Sequence, residues 1–222
     1  KLDLNDQIGK YLKDIPENWK PISILQLMQH SSGIADYRNE KEFDVSADYR
    51  PEQLIETVAA IPLAFEPGTD VKQSATNFLL LTSIIEKAGK MPYHDFVKKY
   101  QIDYLGLKQT FFGEDLAKVK QEDVTLTGNV HQTFKKDKDY INPSETTTGY
   151  VEKEGRLVAA PAVSPTALKG FSDIWASAEN VSHWDIGLAG SALIERPENR
   201  DMVYKPAGQR QGSTCHGRMA VL

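Results

Sequence analysis

The clearest hydrophobic pattern in the chain lies in residues 66–90, which read EPGTDVKQSATNFLLLTSIIEKAGK. A Pro-Gly-Thr turn is followed by apolar residues at helical spacing, namely Phe78, Leu81, Ile84 and Ile85. We expect Ser74 to cap this helix and Gly89 to follow its last turn. The pattern predicts a sharp turn that leads into one long packed helix, and such an element can hold a catalytic side chain in a fixed position.

Four further helices are predicted around this segment, and they begin near Ser23, Pro51, Pro92 and Ser177. The first is expected over 23–29, with Gly33 in a left-handed conformation in the turn that ends it. Their expected inward residues are Leu54, Ile55 and Val58; then Tyr93, Phe96, Val97 and Tyr100; then Val181, Trp184 and Leu188. The last helix is expected to end at Gly187 or Gly190, and residues 35–50 read as a surface loop.

Strand patterns are confined to the region beyond Phe112. Residues 124–130 have strand character, and the charged run 135–139 reads as a solvated loop. Residues 150–159 predict a hairpin with its turn at Glu154-Gly155, and residues 160–170 read as a connector. Together these elements predict a mostly helical α+β domain.

Composition excludes several classes of function. The net charge of −5 gives no electrostatic reason to expect nucleic acid as a partner. No apolar run is long enough to span a bilayer. The five histidines and the single Cys215 show no metal-ligand spacing, and no nucleotide-binding glycine motif occurs. We therefore expect no metal and no cofactor.

His30 is the histidine with two open interpretations. It ends the first predicted helix and could act as a catalytic base. The more ordinary interpretation is that its side chain hydrogen-bonds the turn that follows, because no nucleophile or orienting carboxylate lies nearby at a recognisable spacing.

Five phrases occur in an order that resembles the serine hydrolases related to class C β-lactamases and D-alanyl-D-alanine carboxypeptidases. They are LDLNDQIGKYL, ISILQLMQHSSGI, FEPGTDVKQSATNFLLLTSIIEKAGKMPYHDFV, YLGLKQTFF and SDIWASAENVSHWDIGL. The resemblance implies a β-lactamase/transpeptidase-like α+β fold, of which this chain would hold the helical domain and part of the antiparallel sheet. It also implies a bacterial protein of the periplasm or cell exterior that acts on a small acyl substrate.

The family's chemistry implies three motifs that this chain lacks. No Ser is followed three residues later by Lys; Thr69 and Thr166 have that spacing to Lys72 and Lys169, but outside the nucleophile's place. The family's Tyr-x-Asn motif corresponds here to Gln73, Ser74 and Ala75. Gln73 therefore stands where a proton-relaying Tyr is expected, and a carboxamide cannot relay a proton as a phenol does. No Lys-Thr-Gly or His-x-Gly strand occurs either.

The resemblance predicts an incomplete domain over residues 1–205, with the Ser-x-x-Lys region upstream of Lys1. Residues 206–222 read as an aberrant tail. Its codons can be written so that a one-base shift encodes Pro-Ala-Met-Ala-Gly-Trp-Gln-Phe. This shifted phrase resembles an ordinary protein sequence more closely than the tail does. A frameshift and an authentic divergent tail are both open, and the gene sequence decides between them.

Two functions follow as alternatives. The first is a segment of a serine hydrolase that forms an acyl-enzyme with a β-lactam, a D-Ala peptide or an ester, and that is inactive as this chain. The second is a non-catalytic relative that serves as a binding or scaffold module. No catalytic residue is assigned; Gln73 occupies the family's Tyr position, and Ser74 and Ala75 are expected to contact substrate.

Overall fold

The computed structural model describes residues 2–115 and 149–204. The predicted strand 124–130, the loop 135–139, Cys215 and the tail 206–222 lie outside these ranges. The described residues form an α+β structure, as the sequence pattern predicts.

The helices of the described part run in sequence from α1 to α6. They are α1 Ile24–Met28, α2 Pro51–Ala59, α3 Ala75–Gly89, α4 Tyr93–Val97, α5 Ala178–Ala189 and α6 Pro197–Tyr204. A single π-helical turn, Lys98–Ile102, continues α4. Short 3₁₀ turns occupy Ile8–Lys10, Glu17–Trp19 and Tyr37–Asn39.

Two antiparallel strand pairs complete the described fold. They are β1 (Thr110–Phe112) with β4 (Ile174–Ala176), and β2 (Tyr150–Lys153) with β3 (Arg156–Ala159). The second pair is the predicted hairpin, with its register running from Tyr150 opposite Ala159 to Lys153 opposite Arg156. Glu154 and Gly155 form its turn, with positive φ angles of 53° and 72° respectively.

The helix α3 is the centre of the main hydrophobic core. Its residues Ala75, Leu79 and Leu80 are fully buried, and it packs against α1, α2 and α4. The predicted start at Ser74 is confirmed, but the hydroxyl makes no capping bond and donates instead to the carbonyl of Ala35. The predicted end is one residue early, because Gly89 is still helical and Lys90 takes the left-handed conformation at φ 54°.

The segment between α1 and α2 is more buried than its polar composition predicts. Ser23 caps α1 through a reciprocal capping box with Gln26, as expected. His30, two residues past the end of α1, adopts a left-handed backbone conformation with φ 57°. Gly33 also does so, with φ 75°. Tyr37 lies inside the core and its hydroxyl donates to the carbonyl of Ala167 at 2.8 Å. The surface-loop prediction for residues 35–50 is therefore wrong at this point.

Helix α5 departs from the predicted face. Ser177 caps it as expected, but Val181 is 53% exposed, while Leu188 is buried. Gly187 does not end the helix; it lies where a Cβ would come within 2.9 Å of the side chain of Leu105. The glycine therefore serves close packing, and the helix ends one residue before Gly190.

In α4 and the π-helical turn that continues it, only part of the predicted inward face is buried. Tyr93 and Val97 are buried, but Tyr100 is 47% exposed. Tyr100 falls in the π-helical turn, which changes the angular spacing of side chains relative to the α-helix that the pattern assumes. Within the two described ranges, no helix has the length and apolar character needed to cross a membrane.

Truncation of Leu79 to Ala tests the central place of α3. Leu79 is fully buried, so Leu79→Ala should lower the free energy of unfolding by about 2–5 kcal/mol. Lys87 is exposed on the same helix, and Lys87→Ala should change it by less than about 0.5 kcal/mol. Urea denaturation followed by circular dichroism measures both. Equal losses in the two variants would contradict the packing described here.

Candidate functional site

A groove of about 560 Å³ lies where α3, α4, β4 and α5 approach one another. Its walls are mainly apolar and include the rings of Phe78, Tyr93, Phe171 and Trp184. Polar groups are few, as in most small-molecule sites. They include the side chains of His30, Gln73, Asp173 and Asn180.

Gln73 lies at the wall of this groove, immediately before α3. Its side chain is exposed and makes no hydrogen bond to the residues that the structure describes. Ser74 is 1% exposed and Ala75 is fully buried, and neither lines the groove. The Ser74 hydroxyl is occupied by the Ala35 carbonyl at 3.2 Å. The role of these two residues in substrate binding stays a prediction.

His30 lies beside Gln73 on the same wall. Its carbonyl accepts from the backbone N–H of Lys72 at 2.9 Å, and its Nδ1 accepts from the backbone N–H of Ser74 at 3.3 Å. The histidine therefore holds the residues on either side of Gln73. The sequence predicts that the His30 side chain hydrogen-bonds the turn directly after His30. That prediction is wrong, because the partners of the side chain lie at the start of α3.

Asn77 extends this contact into the core. Its amide Nδ2 is 3.2 Å from His30 Nδ1, and its Oδ1 accepts from the hydroxyl of Ser32 at 2.7 Å. The Ser32 oxygen in turn accepts from the N–H of Ile34 at 3.1 Å. Asn77 is fully buried, and every member of this chain of hydrogen bonds has a partner. Buried polar groups arranged in this way fix one conformation.

The network determines the protonation state of His30. A backbone N–H can only donate, so the Nδ1 that faces Ser74 must be an acceptor. In the neutral imidazole the proton then resides on Nε2. Burial lowers the pKa of His30 below its ordinary value; the Asp36 carboxylate raises it and the Arg38 guanidinium lowers it, both by smaller amounts. A neutral His30 with Nδ1 occupied and Nε2 protonated is not arranged to act as a general base.

Asp173 lies at another part of the groove wall, directly before β4. Its carboxylate is buried, accepts from the N–H of Gly170 at 3.1 Å and lies 3.2 Å from His94 Nε2. The His94 ring stacks on Phe112 of β1, with centroids 3.9 Å apart. The sequence did not single out Asn77, His94 or Asp173, because the Asn77–Ser32 and His94–Asp173 contacts join residues 45 and 79 positions apart.

The two Thr-x-x-Lys sequences do not form nucleophile pairs. The Thr69 hydroxyl donates to the carbonyl of Glu66 at 2.7 Å. Thr166 Oγ1 is 2.9 Å from Ser164 Oγ, and Lys169 Nζ bonds Glu86 at 2.9 Å. Among the described residues, no cluster of three His, Cys, Asp or Glu side chains could hold a metal ion.

The sequence model of the family described as Beta-lactamase matches residues 1–217. The chain therefore belongs to the beta-lactamase family. A Salmonella typhimurium protein named "Putative D-alanyl-D-alanine carboxypeptidase" is 29% identical over 122 residues, which cover 50% of this chain and 28% of that protein. The chain thus spans a little over a quarter of the length of the curated relatives it matches.

Two solved structures share the fold. The D-stereospecific amidohydrolase from Streptomyces sp. has a TM-score of 0.74 at 20% identity, covering 94% of this chain and 59% of that one. The D-amino acid amidase from Ochrobactrum anthropi SV3, complexed with L-phenylalanine amide, has a TM-score of 0.71 at 15% identity, covering 92% and 53%. The predicted family and the predicted β-lactamase/transpeptidase-like fold are confirmed.

Acid should destabilise the protein through His30. Because its folded pKa lies below the ordinary value of 6.5, the unfolded chain binds the proton more readily, and this contribution to stability is lost as pH falls from 6.5 toward the lowered pKa. Asn tolerates the left-handed backbone and offers Oδ1 in place of Nδ1. The stability advantage of the wild type over His30→Asn should therefore shrink between about pH 7.5 and pH 5.5. Urea denaturation at each pH measures it; an advantage that grows toward acid would contradict the assignment.

Proposed function

We propose that this chain forms one wall of the active site of a serine acyl hydrolase, and that residues outside the chain supply the nucleophile. The observation that supports this is the position of Gln73. It corresponds to the family's Tyr, and it lies on the wall of the groove, directly before Ser74, the N-cap of a helix whose buried residues fix its position. We place the Ser-x-x-Lys segment of the complete protein at this end of the groove.

The reaction we propose is attack of a serine hydroxyl on an amide, lactam or ester carbonyl, followed by hydrolysis of the acyl-enzyme. A D-configured amide is the preferred substrate class. The Salmonella relative is named for D-alanyl-D-alanine, the Ochrobactrum structure for a D-amino acid amide, and the Streptomyces structure for D-stereospecific amide hydrolysis. The mostly apolar groove suits the side chain of such a substrate.

A non-catalytic binding module is the second candidate. Gln73 favours it, because a carboxamide can donate and accept hydrogen bonds but cannot relay a proton. Ala75 in place of the family's Asn removes a further polar group. Such a protein would bind the same acyl compounds without turning them over.

Covalent labelling distinguishes these two functions. The gene should be expressed with the codons that flank this segment and treated with a fluorescent penicillin and a fluorophosphonate. A serine hydrolase forms a denaturation-resistant adduct with the fluorophosphonate, and it forms one with the penicillin when the acyl-enzyme is hydrolysed slowly. Reversible binding without an adduct would contradict the enzyme and support the module. The 222-residue chain alone should give no adduct under either proposal, since it contains no Ser-x-x-Lys.

Restoring the phenol tests the role given to position 73. In the same expressed protein, Gln73→Tyr should raise the rate of acylation at least tenfold, because general acid–base groups contribute about 10²–10⁴. Gln73→Phe supplies the ring without the hydroxyl and should leave the rate at or below that of the wild type. Stopped-flow measurement of adduct formation gives the rates. Equal rates for Tyr and Phe would remove position 73 from proton transfer.

A further inference from the structure

We infer that the imidazole Nε2–H of His30 and the carboxamide of Gln73 form a neutral hydrogen-bonding pair that binds a carbonyl or carboxylate oxygen of a ligand in the groove. The inference rests on the proposed function for its ligand class, and it is argued from the backbone contacts of His30 and from the residues that line the groove. It gives His30 a binding role in place of the catalytic-base role that the sequence left open.

The pair is held together by the backbone. His30 accepts from the N–H of Lys72 through its carbonyl and from the N–H of Ser74 through Nδ1, at 2.9 and 3.3 Å. Gln73 lies between these two anchored residues. The side chains of His30 and Gln73 both line the groove.

The direction of the hydrogen bonds leaves one donor available. Nδ1 receives the Ser74 N–H and the Asn77 amide, so the single proton of the neutral ring is on Nε2. Nε2 makes no hydrogen bond to any residue that the structure describes, and the side chain is partly exposed. An Nε2–H beside a carboxamide that is also unbonded can satisfy an oxygen acceptor by two donors. A ligand that brings such an oxygen gives both donors a hydrogen-bond partner.

The neighbouring surface defines the rest of the ligand. The ring of Phe78 lies 5.1 Å from that of His30, and the ring of Phe171 lies 5.9 Å from Phe78. An apolar group a few bonds from the bound oxygen would contact these two rings. The pair and the rings together fit an acyl compound with an aromatic or large aliphatic side chain.

The tautomer of His30 is tested first. Long-range ¹H–¹⁵N correlation spectra of the uniformly ¹⁵N-labelled 222-residue chain at about pH 7.5 report which ring nitrogen carries the proton. The resonance that disappears in His30→Asn identifies the residue. We expect the Nε2–H form. A proton on Nδ1, or a charged ring at this pH, would overturn the inference.

Ligand binding is tested with N-acetyl-D-phenylalaninamide and N-acetyl-D-phenylalanine. The amide presents only carbonyl oxygens and the acid adds a carboxylate, so a shift with the acid alone would assign the bound oxygen to the carboxylate. Either probe should shift the His30 Nε2 resonance. His30→Asn, which keeps the contact with Ser74, and Gln73→Leu should each weaken the dissociation constant about two- to tenfold, the effect of one neutral hydrogen bond.

His183→Asn is the matched control, because His183 is exposed and does not line the groove. It should leave the dissociation constant unchanged. No shift at His30 with either probe, or equal weakening by His183→Asn and His30→Asn, would overturn the inference. These readouts require no turnover, so a failure of covalent labelling would count against the serine chemistry and leave the pair intact.

Discussion

The structure depends on how the polar beginning of α3 is buried. Ser74, Thr76 and Asn77 have their polar groups inside the fold, and residues 30–37 supply the partners. Thr76 Oγ1 donates to the Ala35 carbonyl at 2.6 Å and accepts from the N–H of Tyr37 at 3.2 Å. The Asn77 amide is satisfied by Ser32 and His30. An unsatisfied group here would cost about 1–3 kcal/mol, so the segment and the helix are specified together.

This constraint also explains why the wall of the groove is well defined. The apolar residues of α3 fix the helix in the core, and the polar contacts fix the residues just before it. Gln73 is the one residue of that segment that faces outward into the groove while both of its neighbours are anchored. An exposed residue on a rigid support is where binding chemistry is expected.

Hydrophobic periodicity was sufficient to predict α3 and the hairpin of β2 and β3, because both follow local rules of spacing and turn chemistry. It failed where tertiary contacts override local composition. Tyr37 lies in a charged segment but is buried, and its hydroxyl donates to the carbonyl of Ala167, 130 residues away. A glycine at position 187 suggests the end of a helix, but in the structure it allows close packing against Leu105. The family resemblance predicts the place of Gln73. The hydrogen bonds from His30 to Ser74 and Asn77 could not be predicted from local sequence, because they join residues more than 40 positions apart.

The central proposal is that this wall belongs to an acyl-transfer site whose nucleophile lies outside the 222 residues. The most direct measurement is peptide mapping by mass spectrometry of the expressed gene product after reaction with a fluorophosphonate, whose serine adduct is not hydrolysed. The account predicts one adduct, on a serine of a Ser-x-x-Lys sequence outside this segment. An adduct on any residue within Lys1–Leu222 would contradict it.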